Sequence, residues 1–124
     1  MLHESLTGEI LKCFYKVYNT LGYGFLEKVY ENALYHELIK NGIACKKQVP
    51  LKVLYDGVLV GDYFADLIVD DLIIIELKAS ENIIDDHKYQ LINYLKATHI
   101  EVGLLLNFGL KPQICRKIFM NVNK

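Results

Sequence analysis

Leu72-Ile73-Ile74-Ile75-Glu76-Leu77-Lys78-Ala79 is the stretch on which the fold turns. An aliphatic run of strand length, bounded upstream by a turn-forming pair of aspartates, is what a strand covered on both faces requires. The reading predicts a central β-strand over 72–79. Side chains alternate along a strand, so Ile74, Glu76 and Lys78 share one face while Ile73, Ile75 and Leu77 share the other. A carboxylate and an ammonium therefore point the same way out of an otherwise hydrocarbon strand. Such charges are costly to bury unless they are paired, hydrogen-bonded or metal-bound, and they demand a reason.

Asp70-Asp71 immediately precedes this strand and predicts a turn, with Val58–Val69 as the strand that enters it. Upstream again, Val49, Leu51, Val53 and Tyr55 alternate with their neighbours and end on Asp56-Gly57, a dipeptide suited to a tight hairpin. Folding the second strand back onto the third places Asp66 beside the Glu76 end. Towards the N-terminus the period changes. Ile10, Leu11, Phe14, Val17, Tyr18 and Leu21 mark one face of a helix over 7–21, and Gly22-Tyr23-Gly24 breaks it. Leu26, Val29, Tyr30, Ala33, Leu34 and Leu38 mark a second helix, stopped at Asn41-Gly42.

Downstream of the central strand, Asp85 or Asp86 is placed to cap a third helix carrying Tyr89, Leu91, Ile92 and Leu95, up to about Thr98. Val102–Leu106 follows as a strand, and the intervening helix makes a parallel pairing with the central strand the favoured connection. Ile114–Phe119, with alternating basic residues, adds a last strand. The expected fold is therefore an α/β (α+β) single domain over residues 1–124, a mixed central sheet flanked by helices.

With 124 residues and 52% hydrophobic content, the chain has material for one packed core. No apolar run approaches the roughly 20 residues of a spanning helix, and the start of the chain shows no signal-peptide pattern. The expected location is cytoplasmic, with no membrane association. Cys13, Cys45 and Cys115 form no CxxC pair and read as thiols in a reducing compartment. A formal net charge of -1 gives no overall attraction to nucleic acid and argues against a strong non-specific binder. A local basic groove remains open to Lys46, Lys47, Lys52, Lys88, Lys96, Lys111, Arg116 and Lys117.

Two carboxylates held about 4 Å apart at an effective dielectric near ~20 repel by roughly 4 kcal/mol, so both stay ionised only with a cation between them. Asp66 and Glu76 are the expected metal ligands. Mg²⁺ or Mn²⁺ suits them, because the cluster offers hard oxygen donors and neither thiolates nor paired histidines. Lys78 faces the same pocket as a point charge able to orient a water or offset charge on a phosphate. The competing reading is a cross-strand ion-pair network that merely closes the end of the sheet.

Gly24-Phe25-Leu26-Glu27-Lys28-Val29-Tyr30, Asp66, Glu76-Leu77-Lys78, Gln90-Leu91-Ile92-Asn93-Tyr94-Leu95 and Gly103-Leu104-Leu105-Leu106-Asn107-Phe108-Gly109 occur in that order over nearly the whole chain. This set resembles the PD-(D/E)xK nuclease superfamily, and within it the small proteins named for a GxxExxY motif. The resemblance implies a restriction-endonuclease-like αβββαβ core in which Asp66 and Glu76 bind metal and Lys78 assists water activation for phosphodiester cleavage. It adds Glu27 as an acid pointing in from the second helix, and Gln90 as a helix residue near the site. Ala65 stands where the superfamily's naming proline would be.

Residue chemistry alone leaves Glu27 as a first-turn acid favoured by the helix dipole and Gln90 as a surface amide. Tyr30 and Tyr94 read as core residues whose hydroxyls find partners. The expected function is a metal-dependent nuclease acting on nucleic acid, DNA foremost. Two alternatives stand beside it: a weakly active or inactive nuclease-fold module for nucleic-acid or protein interaction, and a structural homo-oligomer in which Glu76 and Lys78 pair across the sheet. A homodimer or an unidentified protein partner stays open.

Overall fold

In chain order the elements are α1 (Glu4–Leu21), α2 (Glu27–Lys40), β1 (Cys45–Tyr55), β2 (Val58–Val69), β3 (Ile73–Lys78), α3 (Asp85–Lys96), β4 (Val102–Phe108) and β5 (Pro112–Ile118), followed by one 3-10 turn at Asn121–Asn123. The computed structural model describes all 124 residues. Within this order, α2-β1-β2-β3-α3-β4 supplies the expected αβββαβ core. The five strands lie side by side in sequence order, antiparallel except for the β3–β4 pair, which is parallel as the helical crossover requires.

Both hairpin turns form where turn chemistry places them. Asp56 and Gly57 take φ of 53° and 75°, and Asp70 and Asp71 take 51° and 56°, the doubly left-handed geometry whose twist matches that of paired strands. The short second turn fixes the register Leu67↔Ile75, Ile68↔Ile74 and Val69↔Ile73. Continued by one residue, that register puts Asp66 opposite Glu76.

Each face of the sheet buries its own apolar layer. On one side, Ile10, Phe14, Val17, Tyr30 and Leu34 of α1 and α2 pack on Leu67, Ile73, Ile75, Leu77, Leu104 and Leu106. On the other, Leu91, Tyr94 and Leu95 of α3 pack on Ile68, Ile74 and Leu105. The odd residues of β3 thus meet the paired helices, and Glu76 stands on the face that carries α3.

Several boundaries differ from the sequence reading. α1 begins at Glu4 rather than Thr7, because Leu2 and Leu6 also pack against the core. β1 begins at Cys45 rather than Val49, since Cys45–Lys47 continue the ladder with Leu67–Val69. The exposed edge residues Lys46, Lys47 and Gln48 concealed the alternation. Asp85 and Asp86 are not the cap of α3. They form its first turn, and Ile84 takes the cap position, its amide donating to His87 Nδ1 at 3.3 Å. α3 ends at Lys96 rather than Thr98, and the last strand spans Pro112–Ile118 rather than Ile114–Phe119. No helix is long and apolar enough to cross a membrane.

Candidate functional site

The regular alternation of β1 and β2 breaks at one level of the sheet. Cys45, Leu67 and Val69 pack with α1 and α2, yet Leu51 and Ala65, farther along the same hairpin, pack with α3. The reversal occurs at Gln48 and Asp66. Gln48 has φ of 50° in the middle of a strand, and the β1–β2 ladder steps from Lys47↔Leu67 to Val49↔Ala65 around it. A non-glycine residue in the left-handed region costs about 1–2 kcal/mol. Here the strained backbone lets the hairpin change faces, which turns Asp66 towards the end of β3.

Asp66 and Glu76 are joined by reciprocal main-chain bonds. The Asp66 amide donates to Glu76 Oε2 at 2.8 Å, and the Leu77 amide donates to Asp66 Oδ2 at 2.8 Å. Carboxylate oxygens therefore take over from ladder carbonyls just where β2 diverges from β3. Glu76 is only 5% exposed. Burial, and then the neighbouring Asp66 charge, push its carboxyl up to about 8. Asp66 is also raised, chiefly by burial, with the bond from Leu77 opposing and the Glu31 charge adding to the rise. Neither acid has a cationic partner: no ion pair in the protein includes Asp66, Glu76 or Lys78.

Lys78 is half-buried at the end of β3, opposite Asn107 of β4. Its charge acts on both neighbours, pulling Glu76 down and holding His87 below its usual value in concert with burial. Asn107 is fully buried. Its Oδ1 accepts from the Ser80 amide at 3.0 Å, and its Nδ2 donates to Ser80 O and Gln113 Oε1, each at 3.0 Å. It thereby clamps the segment that leaves Lys78.

Gln90 and Tyr94 approach from α3. Gln90 Nε2 donates to Tyr94 Oη at 3.1 Å. The Tyr94 hydroxyl is raised first by burial and then by the Glu76 and Asp66 charges, and its ring packs in one layer with Ala65 and Ile74 on the face that carries Glu76; neither residue hydrogen-bonds to the acids. Glu27 behaves differently. It is exposed in the first turn of α2 and acts electrostatically on His87, with Lys78 and Asp86 nearby, but it joins no hydrogen bond with Asp66 or Glu76.

The acid that α2 does bring to Asp66 is Glu31, which the sequence reading missed. Glu31 is 4% exposed. Its Oε1 accepts from Gln48 Nε2 at 2.5 Å, and its Oε2 pairs with Lys28 at 2.8 Å. The same Gln48 amide lies 3.4 Å from Asp66 Oδ1, so it bridges the two acids. A signal was present: Glu31 shares the helix face of Leu34 and Leu38, a charge on an apolar stripe like Glu76 on its strand. Gln48 carried none, because a left-handed residue within a strand is not marked by its own identity.

Tyr30 takes the structural part of the GxxExxY stretch. It is fully buried, stacks on Phe108 at 4.2 Å between ring centroids, donates to Gly22 O at 2.6 Å and accepts from the Phe25 amide at 3.2 Å. Gly22 and Gly24, with φ of 70° and 109°, give the connection between α1 and α2 the shape this requires.

Chemically, the donor set around Asp66 is all oxygen plus one carboxamide, with neither thiolate nor imidazole among it. That composition fits a hard divalent cation. No group of three or more His, Cys, Asp or Glu side chains is placed to hold a metal ion, so an ion here would have Asp66 and Glu76 as its acidic ligands and would keep most of its hydration, as Mg²⁺ does.

Comparison with known proteins gives one finding. The family model described as the PD-(D/E)XK nuclease superfamily matches residues 4–117. No curated protein and no solved structure matches the chain.

Proposed function

Because the chain belongs to the PD-(D/E)XK nuclease superfamily, we propose that it is a divalent-metal-dependent nuclease hydrolysing phosphodiester bonds, of the GxxExxY type within that superfamily. One observation carries the proposal. Asp66 and Glu76 are adjacent, largely buried acids, fixed to one another by main-chain bonds and lacking a cationic partner. With no lysine or arginine paired to either acid, both can be ionised together only when a cation joins them; otherwise Glu76 holds its proton.

In this reading Asp66 and Glu76 hold Mg²⁺ or Mn²⁺, which when bound supplies positive charge against a scissile phosphate. Lys78, on the same face of β3 as Glu76, offsets phosphate charge and holds the attacking water in position through its ammonium protons. Glu31 fixes Gln48, which steadies Asp66. Gln90 and Tyr94 wall the α3 side and present hydrogen-bonding groups to the substrate. Glu27, at the exposed start of α2, lies near Lys78 and His87, where it would tune the charge at the mouth of the site.

The substrate class in this reading is nucleic acid, DNA foremost, with cytoplasmic action. The decisive experiment incubates wild-type and Glu76→Ala protein with single- and double-stranded DNA and RNA, with and without Mn²⁺. Cleavage that requires Mn²⁺ and disappears in the folded variant is the expected result. Absence of Mn²⁺ and Mg²⁺ binding at millimolar concentration would sink the proposal.

A further inference from the structure

A groove of about 810 Å³ opens between α3 and the outer part of the β1–β2 hairpin, and the chemistry assigned above does not use most of it. Tyr63 from β2 and Tyr89 and Tyr94 from α3 line it, with Lys52 and Lys96 as its cations, Asp86 as its one carboxylate and Asn93 as a carboxamide; Lys96 also lies over the Phe119 ring at 5.4 Å. The exposures are uneven in an informative way. Tyr89 is 60% and Tyr63 47% exposed, whereas Tyr94 is buried and its hydroxyl is bonded by Gln90. The Tyr63 and Tyr94 rings lie 5.7 Å apart. Gln90 and Tyr94 line the groove, and Tyr94 packs in one apolar layer with Ala65 and Ile74, so the groove lies on the sheet face that carries Glu76.

Aromatic faces in a channel that also carries lysines suit unpaired bases on a phosphate backbone, since every base has a face to stack and every linkage has a charge to meet. The volume falls in the range of sites for small ligands, roughly 300–1,000 Å³, room for a few nucleotides. The hairpin explains why the wall exists. β1 and β2 pair from Cys45 to Tyr55 and from Val58 to Val69, but β3 pairs only with Leu67–Val69. The outer hairpin therefore stands free of the sheet beside α3 and presents Tyr63 across from Tyr89.

We infer that this groove binds a single-stranded nucleic-acid segment, stacking bases on Tyr89 and Tyr63 and leading the strand past Gln90 and Tyr94 to Asp66 and Glu76. The final placement rests on the nuclease reading of those acids, while strand binding is measurable by itself. Of the other basic residues, Lys47 is engaged with Asn32, Arg116 with the Leu2 carbonyl and Lys88 with Asp85. Lys52 has no such partner.

The test is fluorescence anisotropy without added metal, so that cleavage cannot enter. The probes are an oligothymidylate and an oligouridylate of about 12 nucleotides, a blunt duplex of equal length, and a polyglutamate peptide. Either single strand should bind at least ~10-fold more tightly than the duplex or the peptide. Tyr89→Ala should weaken that binding by ~10-fold with an unchanged melting temperature, Tyr89→Phe should restore it, and Lys52→Glu should weaken it with a shallower salt dependence. Equal or tighter binding of the duplex or polyglutamate, or unchanged affinity in Tyr89→Ala, overturns the proposal. Mn²⁺-dependent cleavage is assayed in parallel. Strand binding without cleavage removes the nuclease reading and leaves the groove, whereas Mn²⁺-dependent cleavage with strand affinity unchanged in Tyr89→Ala removes the groove and leaves the nuclease.

Discussion

Asp66 and Glu76 face each other across the end of the β2–β3 hairpin, and the amide of the first donates to the carboxylate of the second at 2.8 Å. The bond ties a buried acid to the backbone of the strand carrying its repelling neighbour. Without a cation, the stable state of this arrangement is one in which Glu76 keeps its proton, at a value near 8 set by burial and by Asp66.

Stability should therefore depend on pH in a defined direction. Glu76 binds its proton more tightly in the folded chain, at about 8 against an ordinary 4.5. Its contribution is fully present below the ordinary value and is lost as pH rises through 8. Metal-free protein is expected to lose on the order of a few kcal/mol of unfolding free energy between about pH 5 and about pH 9, measured by urea denaturation. Glu76→Gln should flatten this dependence, and Mn²⁺ should restore wild-type stability at high pH.

Lys78→Met should separate binding from chemistry. The ammonium makes no ion pair in the folded chain, so the substitution leaves no partner stranded. Mn²⁺ affinity by calorimetry is expected to stay within a few-fold of wild type, while cleavage falls by about 10²-fold or more. Loss of Mn²⁺ binding with unchanged cleavage per bound ion would argue instead for a role in assembling the site.

Gln48→Gly tests the strained position in β1. Glycine accepts φ of 50° without a Cβ penalty, which favours the variant by about 1 kcal/mol, while the bridge between Glu31 and Asp66 is lost. The stranded Glu31 oxygen offsets that gain by about 1–3 kcal/mol, so the expected outcome is a melting temperature near or slightly below wild type with clearly weaker Mn²⁺ affinity. A destabilised variant with unaltered affinity would show that the side chain serves the fold alone.

Tyr30→Phe removes the bonds to Gly22 O and from the Phe25 amide while leaving the stack on Phe108. A loss of roughly 1–2 kcal/mol in unfolding free energy is expected, with Mn²⁺ affinity nearly unchanged, because Tyr30 shapes the connection between α1 and α2 and makes no bond to the acids.

Much of this arrangement was legible in the residues. The run Ile73–Ile75 announced a strand buried on both faces, and the Asp56-Gly57 and Asp70-Asp71 turns fixed where the hairpins reverse. Alternation and a short turn then sufficed to set Asp66 opposite Glu76, because a hairpin's register follows from its turn. The edge of β1 was less legible. Its Lys46, Lys47 and Gln48 face solvent and give no apolar period to read.

What the sequence determined by itself was local: the elements, their turns, and the two acids whose presence on buried strands had to be compensated. Tertiary structure alone decided which distant residues compensate them. Glu31 reaches Asp66 only because α2 packs across the sheet, and Gln48 meets both only because the hairpin changes faces at a left-handed residue. Glu27, the acid singled out from the motif, stays at the helix start in solvent. Periodicity fixes which side of an element a residue occupies, but the packing of one element on another fixes what that side meets.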